Sequence, residues 1–256
     1  MPPARRRGGV PYTRSVTRTA VVLGVGARAG LGAAIARRLA REGLRVFPAG
    51  RTAERIEGVA AEIEADGGRA TPVVADATQP GDIARLFDAA SEAGEPPLVA
   101  VYNAGNNRFR SLLDMDDAFF EEVWRLCCFG GFVFGREAAR RMLPGGGTLL
   151  FTGATASIRA RPPFTAFASA KAGLRAVAHG MAREFGPAGL HVGHVIIDGM
   201  IDGDQLNQRF PDLKAQKGED GMLGVDAIAD AYWALHVQHR SAWTLELDLR
   251  PFKESF

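Results

Sequence analysis

From residue 19 onward, short apolar runs alternate with stretches of helical period, and this alternation restricts the fold more than any other feature of the chain. The runs are Ala20–Leu23, Arg45–Phe47, Thr71–Val74, Leu98–Tyr102, Thr148–Phe151, Leu190–Ile197 and Thr244–Leu247. Between them lie Gly32–Glu42, with Ile35 and Leu39 on one face, then Ala53–Ala65, Asp82–Ala90, Phe119–Met142 and Ala166–Phe185. Strands this apolar need cover on both faces, and helices of this length are what parallel crossovers use. The expectation is an α/β fold, a doubly wound parallel sheet of about seven strands with helices on both faces. The segment 202–223 breaks the pattern and carries Gly203, Pro211, Gly218 and Gly221, as a lid-like loop with a short helix inside would.

The first strand runs directly into AVVLGVGARAGLG, residues 20–32. Gly26, Gly30 and Gly32 give a G-x-x-x-G-x-G spacing between strand and helix, the context in which such a triplet cradles a dinucleotide in a Rossmann-like fold. Glycine serves there for a tight turn, for close approach of backbone to pyrophosphate, and for packing helix on strand. The helix start aims free amides and a positive dipole end at the phosphates. A nicotinamide site that reads a free ribose 2′-hydroxyl has an acid at the end of the second strand. This chain has Ala49-Gly50-Arg51 there. Arg51, with Arg28, suits a 2′-phosphate, so NADP is expected in preference to NAD; the competing view of Arg51 is a solvated surface arginine.

The 256 residues, 46% hydrophobic, suffice for one sizeable core, and the sequence divides into a basic extension over 1–18, expected to be disordered, and one dinucleotide-binding domain over 19–256. A formal charge of +2 gives no reason to expect nucleic acid or an anionic membrane as the main partner. Cys127 and Cys128 are adjacent, unsuited to pairing with each other, and a reduced cytoplasmic setting is expected. No apolar run approaches the ~20 residues of a membrane span. No paired carboxylates, catalytic triad or metal-ligand spacing stands out.

Across residues 19–250 the chain resembles the short-chain dehydrogenase/reductase family. Tyr102-Asn103-Ala104-Gly105 matches the N-N-A-G turn after the fourth strand, with Tyr102 in place of the first Asn. Asp76 stands where the third strand ends in an acid that touches adenine, Lys171 matches the lysine of Y-x-x-x-K, and Trp243–Asp248 looks like the last strand. The resemblance implies that Gly26, Arg28, Gly30, Leu31, Gly32, Arg51, Asp76, Ala77, Asn103, Ala104, Gly105, Lys171, Gly199 and Ile201 hold the cofactor. It implies oxidoreductase chemistry on a carbonyl or alcohol, and assembly as a homodimer or homotetramer through the last helix and strand, where Ala231–Leu235 and Trp243–Leu249 are rich in aromatic and aliphatic residues.

The departures gather where the family does its chemistry. Phe167 stands at the tyrosine that exchanges a proton with the substrate oxygen, Ala154 at the serine that orients it, and Cys127 at the asparagine of the water relay. Lys171 alone of these is retained, either to hold the ribose hydroxyls or as the acid itself. Asp198-Gly199 replaces the usual P-G turn, and Gly203 the threonine after it. Thr155 offers a substitute hydroxyl or a turn cap, and Ser169 points away along the helix. Tyr102 is expected in the core, His191 and His194 as hydrogen-bonded strand residues, Asp198 near the nicotinamide or as a cap, and Cys127 as a small buried hydrophobe. Phe164 and Phe167 make the pocket apolar. The sequence therefore carries a reductase with a weakened or rebuilt proton relay as its first reading. A non-catalytic nucleotide-binding protein, or a non-redox member such as a dehydratase, cyclase or isomerase, is the alternative.

Overall fold

A computed structural model describes residues 18–94 and 96–253. Apart from Arg18, the basic extension lies outside the described residues. Alternation of strand and helix runs through the rest: β1 (Thr19–Leu23), α1 (Leu31–Arg41), β2 (Arg45–Gly50), α2 (Ala53–Ala65), β3 (Arg69–Ala70), β4 (Val73–Val74), α3 (Pro80–Glu92) and β5 (Val99–Tyr102). There follow α4 (Asp117–Trp124), α5 (Gly130–Met142), β6 (Gly147–Thr152), α6 (Thr165–Phe185), β7 (Leu190–Ile197), β8 (Ile201–Asp202), α7 (Asp204–Arg209), α8 (Leu213–Lys217), β9 (Leu223–Gly224), α9 (Val225–His236) and β10 (Glu246–Leu249). The main sheet is wholly parallel, in the order β10-β7-β6-β5-β1-β2-β3, with β4 also on β2. This is the doubly wound arrangement the alternation predicts.

Period two along each strand sends side chains to opposite faces, and two apolar cores result. Ala20 and Val22 of β1 pack with Ile35 and Leu39 of α1, Ile56 and Ile63 of α2, and Ile228 and Tyr232 of α9. Val21 and Leu23 pack on the other face with Phe87 of α3, Phe134 of α5, and Leu174 and Met181 of α6. A third, smaller cluster sits beyond the sheet and holds Phe119, Val123, Cys127, Phe167 and Ala170.

Three boundaries differ from the sequence reading. The run Thr71–Val74 is not one strand: β3 and β4 pair separately with β2 on either side of Pro72, whose nitrogen has no hydrogen to give a ladder. The last strand starts at Glu246, not at Trp243 or Thr244, because Arg240–Ala242 forms a 3₁₀ turn and Trp243 stacks on His191, centroids 4.9 Å apart. The long helix Phe119–Met142 contains one π-helical stretch, Arg125–Phe129, between α4 and α5. Within 202–223 the loop carries two short helices, α7 and α8, and its ends pair as β8 and β9. No helix among the described residues is long and apolar enough to cross a membrane.

Candidate active site

In a parallel sheet the loops after the strands all leave from one edge, and ligands bind outside those carboxyl ends. The turn after β1 is shaped by four glycines. Gly24, which the spacing argument did not single out, has φ +104° and lies against the backbone of Asn103 and Ala104, where any side chain would collide. A Cβ at Gly32 would stand 2.5 Å from the Gly24 carbonyl, so Gly32 lets α1 pack on the strand end. Gly30 closes the turn, donating to the Ala27 carbonyl at 3.0 Å, and Leu31 begins the helix. Gly26 differs: a Cβ there would meet nothing within 4 Å. The protein's own packing does not demand glycine at that position, and the open space in front of it fits a pyrophosphate lying close to backbone.

The turn after β5 is tied to this loop. The Asn103 side-chain amide donates to the Gly24 carbonyl at 3.0 Å, and its carbonyl oxygen accepts from the Thr152 hydroxyl at 3.0 Å. Thr152 also shares a 2.7 Å hydrogen bond with the Tyr232 hydroxyl, and its carbonyl accepts from Lys171 Nζ at 2.8 Å. One residue at the end of β6 thus joins β5, α6 and α9. Burial pushes the Lys171 ammonium below its ordinary range. Gly105 leaves room for that ammonium, since a Cβ there would lie 3.3 Å from Nζ and 3.7 Å from the Cys127 sulfur.

The Phe167 ring lies one helical turn before Lys171 on the same face of α6, with Nζ 5.8 Å from the ring centroid. Phe167 and Cys127 are buried in the third cluster, against which Ala154 and Phe164 pack. Cys127 Sγ reaches the Asn106 carbonyl at 3.7 Å, a weak contact. Phe167, Cys127 and Ala154 thus share one apolar cluster, with Lys171 beside the Phe167 ring.

Tyr102 is fully buried, as a core residue should be, and its hydroxyl donates to the Leu126 carbonyl inside the π-helical stretch. The glycine pair that follows is closely packed: a side chain at Gly130 would overlap the Ala77 carbonyl and the Tyr102 hydroxyl, and one at Gly131 the Leu174 side chain, with the Tyr102 ring 3.3 Å away. Burial raises the Tyr102 phenol well above its ordinary range, which makes it a fixed donor.

Other candidate groups are taken up internally. Thr155 Oγ1 donates to Asp198 at 2.5 Å, and Arg159 donates to both Asp198 oxygens at 3.1 and 3.0 Å, so Asp198 ties two loops and Thr155 acts in the turn. Ser157 accepts from the Ala154 amide at 3.1 Å. Ser169 is exposed and donates back to the Ala166 carbonyl. His191 bonds the Thr244 carbonyl. Among the cofactor candidates, Arg28 is turned to Glu62, while Arg51 is exposed at the end of β2 and has no partner among the described residues. Asp76 accepts from the Thr78 amide and hydroxyl, each at 2.8 Å, in its own turn, and Ala77 is buried beside it. Gly199 lies between β7 and β8, and Ile201 lies in β8, remote in sequence from the glycine loop but joined to it through Asp204, whose carboxylate accepts from the Ala29 amide at 3.0 Å. Sequence spacing gave no signal for Thr152, Tyr232, Arg159 or Asp204, because each acts through a contact made only in the folded chain.

The fold also gathers His179, His194 and Glu246, with ligand atoms within 4.8 Å of one another, although no metal-ligand spacing is visible in the sequence. Both Glu246 oxygens are already engaged by Arg175, at 2.6 and 2.8 Å, and each histidine bonds the same carboxylate. The arrangement is an ion-pair cluster on the last strand. Burial brings His194 down to about 4, and the Arg175 guanidinium holds Glu246 near 2, so the imidazole is neutral beside a charged carboxylate at neutral pH.

Residues 20–214 match the family described as short chain dehydrogenase, and the chain belongs to that family, whose members are oxidoreductases that bind nicotinamide cofactors. A short-chain dehydrogenase/reductase of Aspergillus novofumigatus is 31% identical over 193 residues, 75% of this chain and 73% of that one. A 1-cyclohexenylcarbonyl-CoA reductase of Streptomyces collinus is 28% identical over 82% of this chain and 74% of that one. Among solved structures, a short-chain dehydrogenase from Rhodopseudomonas palustris is 41% identical, with a TM-score of 0.79 over 92% of this chain and 99% of that one. An actinorhodin polyketide ketoreductase variant with NADPH superposes with a TM-score of 0.82 at 21% identity, over 92% of this chain and 96% of that one, a likeness of fold.

Proposed function

We propose that the chain is an NADP-dependent oxidoreductase that interconverts a carbonyl and an alcohol, working with a weakened or rebuilt proton relay. The observation that carries this reading is the retained pair of binding features around an apolar centre: the open space before Gly26, and Lys171 beside Phe167. In this reading the glycine loop and the start of α1 hold the pyrophosphate, Asn103 keeps the loop in place, and Lys171 holds the ribose hydroxyls. A bound nicotinamide supplies the hydride. The chain supplies position and dryness, since Phe164, Phe167 and Ala154 exclude water from the reacting carbon, and proximity alone sustains a slower reaction on an activated substrate. The buried Lys171 ammonium is a titratable group beside the Phe167 ring.

Preference for the phosphorylated cofactor rests on Arg51, exposed and without a partner among the described residues, where a carboxylate would otherwise stand. Arg28 contributes to that preference only by leaving Glu62. NADPH is expected to bind more tightly than NADH by isothermal titration, and Arg51→Ala to remove most of the difference, a charge-assisted contact being worth about 1.5–3 kcal/mol. Equal dissociation constants in the unmodified protein would refute the preference. The reaction itself is tested by following 340 nm absorbance during a screen of carbonyls and alcohols: consumption of NADPH supports reduction, whereas product without consumption makes the chain a non-redox member. We further propose a cytoplasmic setting, one dinucleotide-binding domain over 19–256, and a homodimer or homotetramer.

A further inference from the structure

Two ring contacts lead outward from the candidate reacting centre to an unpaired cation. Phe164 packs in the same cluster as Phe167 and Ala154. Its ring meets Phe109, from the loop after β5, with centroids 5.3 Å apart and planes tilted by 58°. Over the Phe109 ring lies the guanidinium of Arg209, at the end of α7, 5.5 Å from the ring centroid; the same group is 5.3 Å from the Phe210 ring. Three loops that are far apart in sequence thus meet at this mouth, and they do so through aromatic faces and one arginine.

Two features set the arrangement apart from ordinary surface packing. Phe109 and Phe210 leave 48% and 47% of their surface exposed, which is apolar area that a ligand would cover. Four nearby bases are neutralised internally, Arg108 by Glu122, Arg110 by Asp116, Arg159 by Asp198 and Lys214 by Asp202, whereas Arg161, which like Arg209 has no ion pair among the described residues, is not placed over the Phe109 ring. The Arg209 side chain has no carboxylate or hydrogen-bond partner among the described residues. A guanidinium stacked on rings keeps its edge N–H groups free, in the fork that matches a carboxylate.

We propose that the site takes a carbonyl or alcohol substrate with a flat apolar body lying along Phe167, Phe164 and Phe109, and a carboxylate at the far end that pairs with Arg209. The substrate class rests on the redox reading given above; the anion site does not. The length of the ring path suits a body of about two aromatic rings, since stacked or tilted pairs are spaced by ~5–6 Å.

The probes are 4′-formylbiphenyl-4-carboxylate and its methyl ester, each with NADPH, on the full chain and on Arg209→Gln and Arg209→Lys. Arg209 is exposed, so neither variant disturbs the core. In the unmodified protein kcat/KM for the acid should exceed that for the ester by roughly tenfold or more, the order expected of one charge-assisted pair. Gln should bring the ratio near one, and Lys should keep part of it. Turnover of both probes at equal efficiency overturns the anion site and leaves the reductase reading standing. If neither is reduced, binding of the two probes to the NADPH-loaded protein is measured by saturation-transfer NMR. Tighter, Arg209-dependent binding of the acid then supports the anion site while the reductase reading fails, and absence of an Arg209-dependent difference overturns the site.

Discussion

At the residue scale, the position of Phe167 defines what a single atom would change. Its ring lies beside Lys171 on α6, so Phe167→Tyr places a phenol near the ammonium without repacking the helix. The gain in carbonyl reduction should nevertheless be modest, because Ala154 and Cys127 leave the substrate oxygen and any water chain unsupported, and groups that act as a unit are strongly non-additive. The triple change Phe167→Tyr, Ala154→Ser, Cys127→Asn should raise kcat for reduction of one chosen aldehyde by well over tenfold relative to any single change, read from 340 nm progress curves. A parent protein as fast as the triple variant would mean that the relay was never disabled. That Phe167 and Lys171 share one face of α6 was legible in the sequence, because a spacing of four is a local property of a helix. Thr152 was not, since nothing local reveals that one hydroxyl and one carbonyl would be shared among Asn103, Tyr232 and Lys171. Nor was the diversion of Arg28, whose partner Glu62 lies on α2, 34 residues further along the chain.

At the scale of elements, β10 shows how an edge strand is fastened. It has one neighbour in the sheet, β7, and Glu246 near its start is gripped by Arg175 and His179 of α6 and by His194 of β7. His194 titrates about 4 in the fold against an ordinary 6.5, so its contribution to stability is complete above pH 6.5 and is lost as pH falls through 4. Glu246, held near 2 against an ordinary 4.5, adds a contribution that is complete above 4.5 and fades towards 2. The signs agree, and the strand should loosen in acid. Urea midpoints are expected to fall between pH 6.5 and 4, and His194→Gln should flatten that part of the slope; an unchanged slope in the variant would remove His194 from the account. Strand and helix existence was legible from periodicity, whereas the fastening was not, because its members come from residues 175 to 246. The split at Pro72 was missed by the apolar run Thr71–Val74, and proline chemistry accounts for it only once the pairing with β2 is seen. The π-helical stretch was not legible, and neither was the contact within it between the Tyr102 hydroxyl and the Leu126 carbonyl, whose partners lie 24 residues apart.

At the scale of the molecule, the proposed assembly has to use what the monomer leaves over. Tyr232 and Leu235, two residues the sequence offered for an interface, are 1% and 2% exposed and belong to the core under α9. Trp243 stacks on His191, and Trp233 lies under Arg38. What remains is the open edge of β10 and exposed Val237 beyond α9, a face of the kind that a second copy covers. Light scattering at micromolar concentration should give the mass of a dimer or tetramer, and a monomer mass would remove the assembly. The third apolar cluster has a different consequence. Phe167, Cys127 and their neighbours form a cluster of their own beside the two cores that hold the sheet together, touching the second through Leu126. Polar groups exchanged for oily ones in such a unit need not disturb the scaffold, so nucleotide cradle and reaction chemistry can be inherited, lost or reinvented on separate schedules.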